Sequence, residues 1–306
     1  MCRKGGQVSG GVTSHPGPVL HQTDTWAVVD CRACGYAHVD PLPTAREIAE
    51  HYSEGYWRNY PRYLDEVSED LTWHQAVLDD RLQRIGQAVS GRRLLDVGCG
   101  AGLLLERAVA GGWQALGCEP DAQMAARAAA CGAEVSVGGL EGMALEVDEK
   151  FDAIHLYEVL EHVPAPEEFL QRCWQLLKPG GVLYVGVPND FNPWQRALAK
   201  AGEQPWWVAV PHHLNYFTHA SLKELAQRQG FVALEAYTSF PMELFALAGQ
   251  RYMRDAALGR EVHGRRKVFE ATLRELAPAS LDAFYQALAM QGLGRTAEWL
   301  FSRPAP

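Results

Sequence analysis

Between residues 92 and 188, short apolar runs alternate with amphipathic stretches. The apolar runs are RLLDV, WQALGCE, EVSV, FDAIHLY and GVLYVGV, and helix-like stretches such as GLLLERAVA, DAQMAARAAAC and PEEFLQRCWQLL lie among them. Parallel strands need crossover helices and are covered on both faces, so buried runs that alternate with helices are typical of one architecture. The pattern predicts an α/β fold with a doubly wound, mostly parallel sheet.

Composition and charge exclude several classes of protein. The chain has 306 residues, 47% of them apolar, and 28 basic against 37 acidic residues give a formal charge of -9. Nucleic-acid binding depends on clustered Lys and Arg, so we expect no nucleic-acid partner. Without a run of about 18 apolar residues, we expect no membrane span and a cytoplasmic protein. The seven cysteines are scattered through apparent strands and helices, which favours reduced thiols over a disulfide framework.

The first turn of the alternating region, LLDVGCGAG, narrows the choice of ligand. Its glycines stand at 98, 100 and 102, and position 103 is Leu, whereas the dinucleotide fingerprint is G-x-G-x-x-G. Asp96, two residues before the first glycine, would repel a phosphate but can accept hydrogen bonds from an ammonium group. The turn therefore indicates a cationic ligand without phosphate.

Two further positions indicate that this ligand also contains a ribose and an adenine. Glu119 ends the second apolar run, where an acidic side chain can accept hydrogen bonds from both ribose hydroxyls. Leu140 and Glu141, in GGLEGM, would supply an apolar wall and an acceptor for the exocyclic amine of an adenine.

Five segments together resemble the class I S-adenosylmethionine (SAM)-dependent methyltransferases, in particular the UbiG-like group that acts on small molecules. They are LLDVGCGAG, GCEPD, FDAIHLYEVLEHV, LLKPGGVLYVGVPN and HHLNYFTHASLKELAQRQGF, over about residues 90–240. The resemblance implies a seven-stranded Rossmann-like sheet whose last strand, RTAEWLFSR, runs antiparallel. Residues 241–291 would then be a helical insertion between strands six and seven.

The resemblance also assigns roles around the cofactor. It implies that the methionine end of SAM is contacted by Asp96, Gly98, Gly100 and Gly102, and that the ribose is contacted by Glu119. The residues implied to flank the adenine are Pro120, Leu140 and Glu141. Tyr157 and Glu158 would lie beside the sulfonium and methyl. His162 either packs against the cofactor loop or points to the substrate, and packing is the preferred interpretation. Glu158 and His162 are nevertheless retained as catalytic candidates.

On the acceptor side, His213 in PHHLNYFT is the candidate general base. Histidine is well suited to remove a hydroxyl proton near neutral pH, although a loop-bracing role is the alternative. We expect no metal ligands at this site. The further candidates for substrate contact are Tyr56, Asn189, His212, Tyr216, Arg251 and Tyr252.

Four segments are expected along the chain. They are a flexible lead-in with a ribbon-like segment (1–45, of which 1–24 should lack regular structure), a helical lid (46–90), the SAM-binding core (91–240), and a tail with the insertion and last strand (241–306). A band of aromatic residues could line the lid or simply pack in the core: Tyr52, Tyr56, Trp57, Tyr60 and Tyr63. A basic cluster around Arg251, Arg265 and Arg266 could meet an anionic acceptor, although a solvated helix face is the simpler interpretation.

The Cys31-x-x-Cys34 pair has the spacing of a zinc knuckle. Related proteins often carry two such pairs before a Pro-x-Pro-Thr turn like residues 41–44, but the other pair is missing here. A four-ligand site would need Cys2 and a histidine such as His15, His21 or His38. We therefore expect a degenerate ribbon that has lost its metal.

The combined prediction is a monomeric or homodimeric SAM-dependent methyltransferase. Its acceptor would be a small molecule, through a hydroxyl of a sugar, a nucleotide-linked sugar or another secondary metabolite. Transfer to N, C or a carboxylate stays open. A nicotinamide-dependent oxidoreductase and a non-catalytic protein that binds SAM or a partner are the alternatives.

Overall fold

The computed structural model describes residues 15–44, 46–48, 63–143 and 150–305. The strands are β1 (Val19–Gln22), β2 (Ala27–Cys31), β3 (Tyr36–Asp40), β4 (Arg93–Val97), β5 (Gln114–Glu119), β6 (Glu134–Val137), β7 (Phe151–Tyr157), β8 (Leu177–Pro188), β9 (Asn215–Tyr216), β10 (Val232–Tyr237) and β11 (Thr296–Ser302). The helices are α1 (Tyr63–Glu69), α2 (Leu71–Ala88), α3 (Leu103–Ala110), α4 (Ala122–Ala129), α5 (Pro166–Leu176), α6 (Pro193–Lys200), α7 (His219–Arg228), α8 (Glu243–Leu247), α9 (Ala256–Leu276) and α10 (Pro278–Met290).

The main sheet has seven strands in the order β10-β11-β8-β7-β4-β5-β6. The five strands from β4 to β8 are parallel, and β11 runs antiparallel to both β8 and β10. Two crossover helices begin at residues that favour a helix N-terminus: the Asp121 side chain caps α4, and Pro166 occupies the first turn of α5. The predicted seven-stranded α/β fold with an antiparallel last strand is confirmed.

A second sheet joins the N-terminal segment to the rest of the chain. Its order is β1-β2-β3-β9, all antiparallel, and β9 pairs His38 with Asn215. The expectation that residues 1–24 lack regular structure is wrong for β1, because Val19–Gln22 pairs with β2 and Leu20 packs against a small core around Val28 and Trp207. Backbone pairing and burial offset the weak strand signal of this short stretch.

Helix α2 covers one face of the main sheet. Leu82 and Ile85 are buried in the core cluster formed with Leu94 of β4 and Tyr184 of β8. α2 thus belongs to the packed core and differs in this from the predicted lid. The aromatic positions Tyr52, Tyr56, Trp57 and Tyr60 lie outside the described residues.

The predicted insertion between the last two strands is helical, with α8, α9 and α10 following β10. It has its own small core, which includes Phe240, Val262 and Tyr285. It docks on α2 through polar contacts, including a hydrogen bond from Trp73 Nε1 to Glu270 Oε2 (2.6 Å). Among the described residues, no helix combines the length and apolarity needed to cross a membrane.

Candidate functional site

The turn between β4 and α3 carries the three glycines of the predicted cofactor site. Gly98, Gly100 and Gly102 have φ angles of 70°, 52° and 82°, in the left-handed region that glycine adopts without steric cost. A Cβ atom on Gly102 would lie 2.5 Å from Cα of Ala128 on α4, and one on Gly98 would lie 2.6 Å from Cγ2 of Val159. Both glycines are therefore required for close packing as well as for conformation.

Asp96 of β4 is buried and is oriented by a neighbouring strand. Its Oδ1 accepts a hydrogen bond from Nδ1 of His155 over 2.7 Å, and His155 lies beside Asp96 in the parallel pair β4–β7. A carboxylate has about four lone-pair sites, so Asp96 can also accept from an ammonium group. His155 was not among the predicted site residues; its signal in the sequence is its position two residues before the end of β7, the strand that pairs with β4 beside Asp96.

Glu119, the last residue of β5, connects two loops. Its Oε2 accepts from the Gly100 amide (2.9 Å), and its Oε1 accepts from the Asp121 amide (3.0 Å). A carboxylate has about four lone-pair sites, which fits the predicted role of accepting from a ribose diol. The same carboxylate holds the glycine turn against the start of α4.

The residues predicted to flank the adenine differ in exposure. Pro120 and Glu141 are exposed, whereas Leu140 is buried in the core cluster that includes Cys118. Leu140 is therefore corrected to a core residue that supports the turn at residues 140–142. Of the three residues predicted to flank the adenine, only Pro120 and Glu141 have exposed surface for such a contact.

Tyr157 and Glu158 close strand β7 in different environments. The guanidinium carbon of Arg81 lies over the Tyr157 ring, 3.5 Å from the ring centroid. Glu158 has a φ of 56°, an uncommon conformation for a residue with a side chain, and its amide donates to the Gly186 carbonyl (2.8 Å). Glu158 remains accessible to solvent, yet the surrounding protein raises the pKa of its carboxyl group, against the opposing charge of Arg81. Strained backbone of this kind is concentrated at functional sites.

Directly after β7, one carboxyl group and two imidazoles converge. One ligand atom from each of Glu161, His162 and His213 lies within 4.8 Å of the others. His162 Nδ1 lies 2.9 Å from the His212 carbonyl, and its ring meets that of His213 at 5.0 Å, edge to face. Burial and the charge of Glu158 raise the pKa of Glu161 well above its usual value. His162 contacts the loop as expected for packing, while the prediction of no metal at this site stays a prediction.

Strand β9 fixes this cluster in place. The Leu214 amide donates to the Glu161 carbonyl (2.8 Å), and Asn215 Nδ2 donates to the carbonyls of Leu160 (3.1 Å) and Val163 (2.8 Å). His213 therefore cannot move independently of the turn that carries Glu161 and His162. Sequence reasoning did not reveal this bracing, because it depends on pairing between distant segments.

His213 is held as a neutral base. Burial, first of all, lowers its pKa to about 3, and the charges of His162 and Arg295 act in the same direction. Its Nδ1 is buried and has no hydrogen-bond partner among the residues that the structure describes. At neutral pH the imidazole is consequently uncharged, with one nitrogen available to accept a proton.

Arg295, just before β11, is a charged residue that sequence analysis missed. Its positive charge acts on Glu158, Asp190 and His213, lowering the pKa of each. Nη1 of Arg295 is buried and, within the described part of the chain, makes no hydrogen bond. A cation placed this way can attract an anionic group of a ligand.

Two predicted substrate contacts are corrected. Asn189 is fully buried, and its Nδ2 donates to the carbonyls of Gly292 and Gly294 (both 3.0 Å). Tyr216 lies within β9, where its hydroxyl accepts from the Ala209 amide (3.2 Å). Both side chains hold loops together from the interior, so neither presents a surface to a substrate.

The remaining substrate candidates are peripheral. Arg251 is 64% exposed and pairs with Glu203 (2.9 Å), so it is part of a solvated salt bridge. Tyr252 packs its ring near those of Trp206 and His263, and His212 contributes its carbonyl to His162 while its own side chain is exposed. Tyr56 lies outside the described residues. Other members of the basic cluster are also paired, as Arg265 is with Glu261 (2.6 Å).

Asp190, next to Asn189, makes stability depend on pH. Burial is the main cause that raises its pKa to about 7, against the opposing charge of Arg295. The folded state binds the proton more tightly than the unfolded chain, so stability is highest at low pH and falls as the pH rises from about 4 to 7. Between pH 5 and 7, the free energy of unfolding of the wild type should fall by roughly 2 kcal/mol more than that of Asp190→Asn.

Urea unfolding of both proteins at several pH values measures this difference directly. Asp79→Asn is a suitable control, since Asp79 lies on the surface in a pair with Arg107 (2.7 Å). Parallel pH profiles for the wild type and Asp190→Asn would show that Asp190 does not carry the effect.

Comparison with known proteins places this geometry in a family. Residues 71–236, more than half of the chain, match the family model described as a methyltransferase domain. The ubiquinone biosynthesis O-methyltransferase of Xanthomonas campestris is 39% identical over 143 residues, which cover 44% of this chain and 59% of that protein. The protein of the same description from Rhodopseudomonas palustris is 35% identical over 156 residues, 48% of this chain and 61% of the relative. The chain thus spans less than two thirds of the length of these relatives.

A solved structure supports the fold alone. A chain of the Haloferax volcanii complex between the Trm112 methyltransferase activator and a methyltransferase matches with a TM-score of 0.53 at 18% identity, over 86% of this chain and 99% of that one. The glycine turn, the oriented Asp96 and the acidic end of β5 lie within the matched residues 71–236. On the family match and this site, the chain belongs to the methyltransferase domain family.

Proposed function

We propose that the protein is a SAM-dependent methyltransferase that transfers a methyl group to a hydroxyl oxygen of a small molecule. One observation carries the choice of oxygen: His213 is a half-buried, neutral imidazole with one unprotonated nitrogen, and it is fixed by β9 against the turn that follows β7. A hydroxyl nucleophile must lose a proton as its bond to carbon forms, so a positioned neutral base suits this acceptor.

The residues around the glycine turn fit SAM. Gly98 and Gly102 let the turn pack closely against Val159 and Ala128, Asp96 offers a buried carboxylate for the ammonium group, and Glu119 offers two oxygens for the ribose. A pyrophosphate binds well at a helix N-terminus that has no acidic neighbours. Here the carboxylate of Asp96 would repel it, which disfavours the nicotinamide alternative. When bound, SAM supplies an electrophilic methyl group on a sulfonium.

The protein's own part in the reaction is to orient the acceptor and to receive a proton. His213 would take the hydroxyl proton on its unprotonated ring nitrogen while the acceptor oxygen gains the methyl group. The low pKa of His213 keeps it unprotonated before the reaction. Alignment of the acceptor with the activated methyl group and exclusion of water contribute to the acceleration as well.

For the acceptor we propose a hydroxyl of a sugar, a nucleotide-linked sugar or another secondary metabolite that carries negative charge. The charge of Arg295, with its unpaired Nη1, supports an anionic group near the reacting hydroxyl. A second candidate is an intermediate of ubiquinone biosynthesis, because relatives at 35–39% identity are named for that pathway. Methyl transfer assays that compare acidic and neutral acceptors of each class distinguish the two.

Replacing His213 with Ala is expected to lower kcat by about 100- to 10,000-fold, the usual loss on removal of a general base. The affinity for S-adenosylhomocysteine should not change, since His213 is remote from the glycine turn in sequence and is assigned to the acceptor. Steady-state kinetics with labelled SAM and calorimetric titration measure the two quantities. His212→Ala is the matched control, because His212 is the exposed neighbour; full turnover by His213→Ala would contradict the role of base.

A further inference from the structure

Two cysteines and two histidines converge in the N-terminal sheet, away from the methyltransferase site. His15, Cys31, Cys34 and His38 each offer a ligand atom, and all four atoms lie within 4.8 Å of one another. Cys31, Cys34 and His38 are almost completely buried, while His15 is half-buried. Cys31 ends β2, Cys34 lies in the following turn, His38 lies on β3, and His15 precedes β1.

The separations match those around a tetrahedral zinc ion. With usual bond lengths, two nitrogen ligands of zinc stand about 3.3 Å apart, and a nitrogen and a sulfur stand about 3.6 Å apart. Here, His15 Nδ1 lies 3.0 Å from His38 Nε2, 3.4 Å from Cys31 Sγ and 3.7 Å from Cys34 Sγ. Three partners around one imidazole nitrogen cannot all be satisfied by a single proton, whereas one cation at the centre satisfies all four groups.

The surrounding contacts orient these groups toward a common centre. His38 Nδ1 donates to the Val39 carbonyl (2.9 Å), which makes Nε2 the unprotonated nitrogen that faces His15, as is usual for metal-bound histidine. The Cys34 amide points to Cys31 Sγ (3.4 Å), and the turn is completed by the Gly35 amide, which donates to the Cys31 carbonyl (2.8 Å). Gly35 has a φ of 78°, so this position requires glycine.

We propose that His15, Cys31, Cys34 and His38 bind one Zn²⁺ ion as a closed, structural Cys₂His₂ site. Two thiolates with two imidazoles and no open position are typical of structural zinc. This ligand set differs from the one considered from sequence, because a second histidine takes the place of Cys2, which lies outside the described residues. The proposal departs from the expectation, drawn from the sequence, of a ribbon that has lost its metal.

The site lies where it can hold the acceptor side of the enzyme. His38 pairs directly with Asn215 of β9, and Asn215 in turn binds the loop that carries Glu161 and His162. On the other side, Arg228 of α7 donates to the Cys34 carbonyl (2.8 Å). Zinc at this point would tie the N-terminal sheet to the turn next to His213.

Metal analysis of the full-length protein, expressed with zinc and purified under reducing conditions, tests the proposal. We expect about one zinc per chain, and Co²⁺ substitution should give the intense visible bands of tetrahedral cobalt with thiolate charge transfer. His15→Ala and Cys31→Ser should retain almost no zinc. His21→Ala and Cys131→Ser, the same residue types outside the cluster, should retain the full amount.

Cys31 is buried, so Cys31→Ser could fail to fold; the cobalt spectrum of the wild type and the half-buried His15→Ala variant then decide. Circular dichroism would establish that His15→Ala is folded. Wild-type protein without stoichiometric zinc and without a tetrahedral cobalt spectrum would overturn the proposal. A Cys31–Cys34 disulfide in the protein as isolated, or full zinc content in folded His15→Ala, would overturn it as well.

Discussion

Asp96→Asn is expected to weaken the binding of S-adenosylhomocysteine by about 30- to 150-fold, which corresponds to roughly 2 to 3 kcal/mol for a lost charge-assisted hydrogen bond. Asp96 is buried, and His155 donates a hydrogen bond to it over 2.7 Å. Water therefore cannot readily reach this position to compensate the ligand ammonium when the carboxylate is removed. Asparagine has the same shape and can still accept from His155, so the fold should be retained. Isothermal titration calorimetry measures the change.

The control for this substitution is Asp79→Asn. Asp79 is also an aspartate in an ion pair, but it faces solvent at the surface with Arg107. It should bind S-adenosylhomocysteine like the wild type. Wild-type affinity in Asp96→Asn would show that Asp96 does not receive the cofactor's amine.

Gly102→Ala is expected to lower the free energy of unfolding by about 3 kcal/mol, from the left-handed conformation and from overpacking together. Gly102 has a φ of 82°, and a Cβ atom there would lie 2.5 Å from Cα of Ala128. Because that neighbour is helix backbone, α4 would have to move. The displaced turn should also lose measurable affinity for S-adenosylhomocysteine.

Gly112→Ala separates the two causes. Gly112 has a φ of 80°, close to that of Gly102, but a Cβ atom there would meet nothing within 4 Å. Its cost should be about 1 kcal/mol, from backbone conformation alone, with cofactor affinity unchanged. Urea unfolding measures both variants, and equal costs would show that contact with α4 is unimportant.

The sheet could be predicted because its signals are local. RLLDV and FDAIHLY coincide with β4 and β7, and the side chains of Asp121 and Thr218 cap α4 and α7. In each case a few adjacent residues decide the outcome through hydrophobic periodicity and capping. The residues proposed for the cofactor could be selected for the same reason, since Asp96, the glycines and Glu119 lie at or just after the ends of consecutive strands.

The acceptor side was harder to predict because it depends on contacts between distant segments. Asn189 and Tyr216 had the polarity expected of substrate contacts, but Asn189 is bound by a loop about a hundred residues later in the chain. Arg295 stands just before the last strand, and only the fold brings its charge near Asp190 and His213. Single-sequence patterns carry no information on such pairings.

The N-terminal sheet shows the same limit. C-x-x-C spacing identified Cys31 and Cys34, but His38 was one of several histidines until β3 paired with β2 and turned its ring toward the cysteines. His15 reaches the group through the segment before β1, where composition gave no sign of order. The geometry of four converging side chains had to come from the structure.

The most direct test of the central claim is calorimetric titration of the purified protein with S-adenosylhomocysteine and, separately, with NADH. The site has a buried carboxylate where an ammonium group would bind and a glycine turn without the third glycine of a dinucleotide site. We predict saturable binding of S-adenosylhomocysteine that is weakened in Asp96→Asn, and no binding of NADH under the same conditions. Binding of NADH without binding of S-adenosylhomocysteine would contradict the assignment.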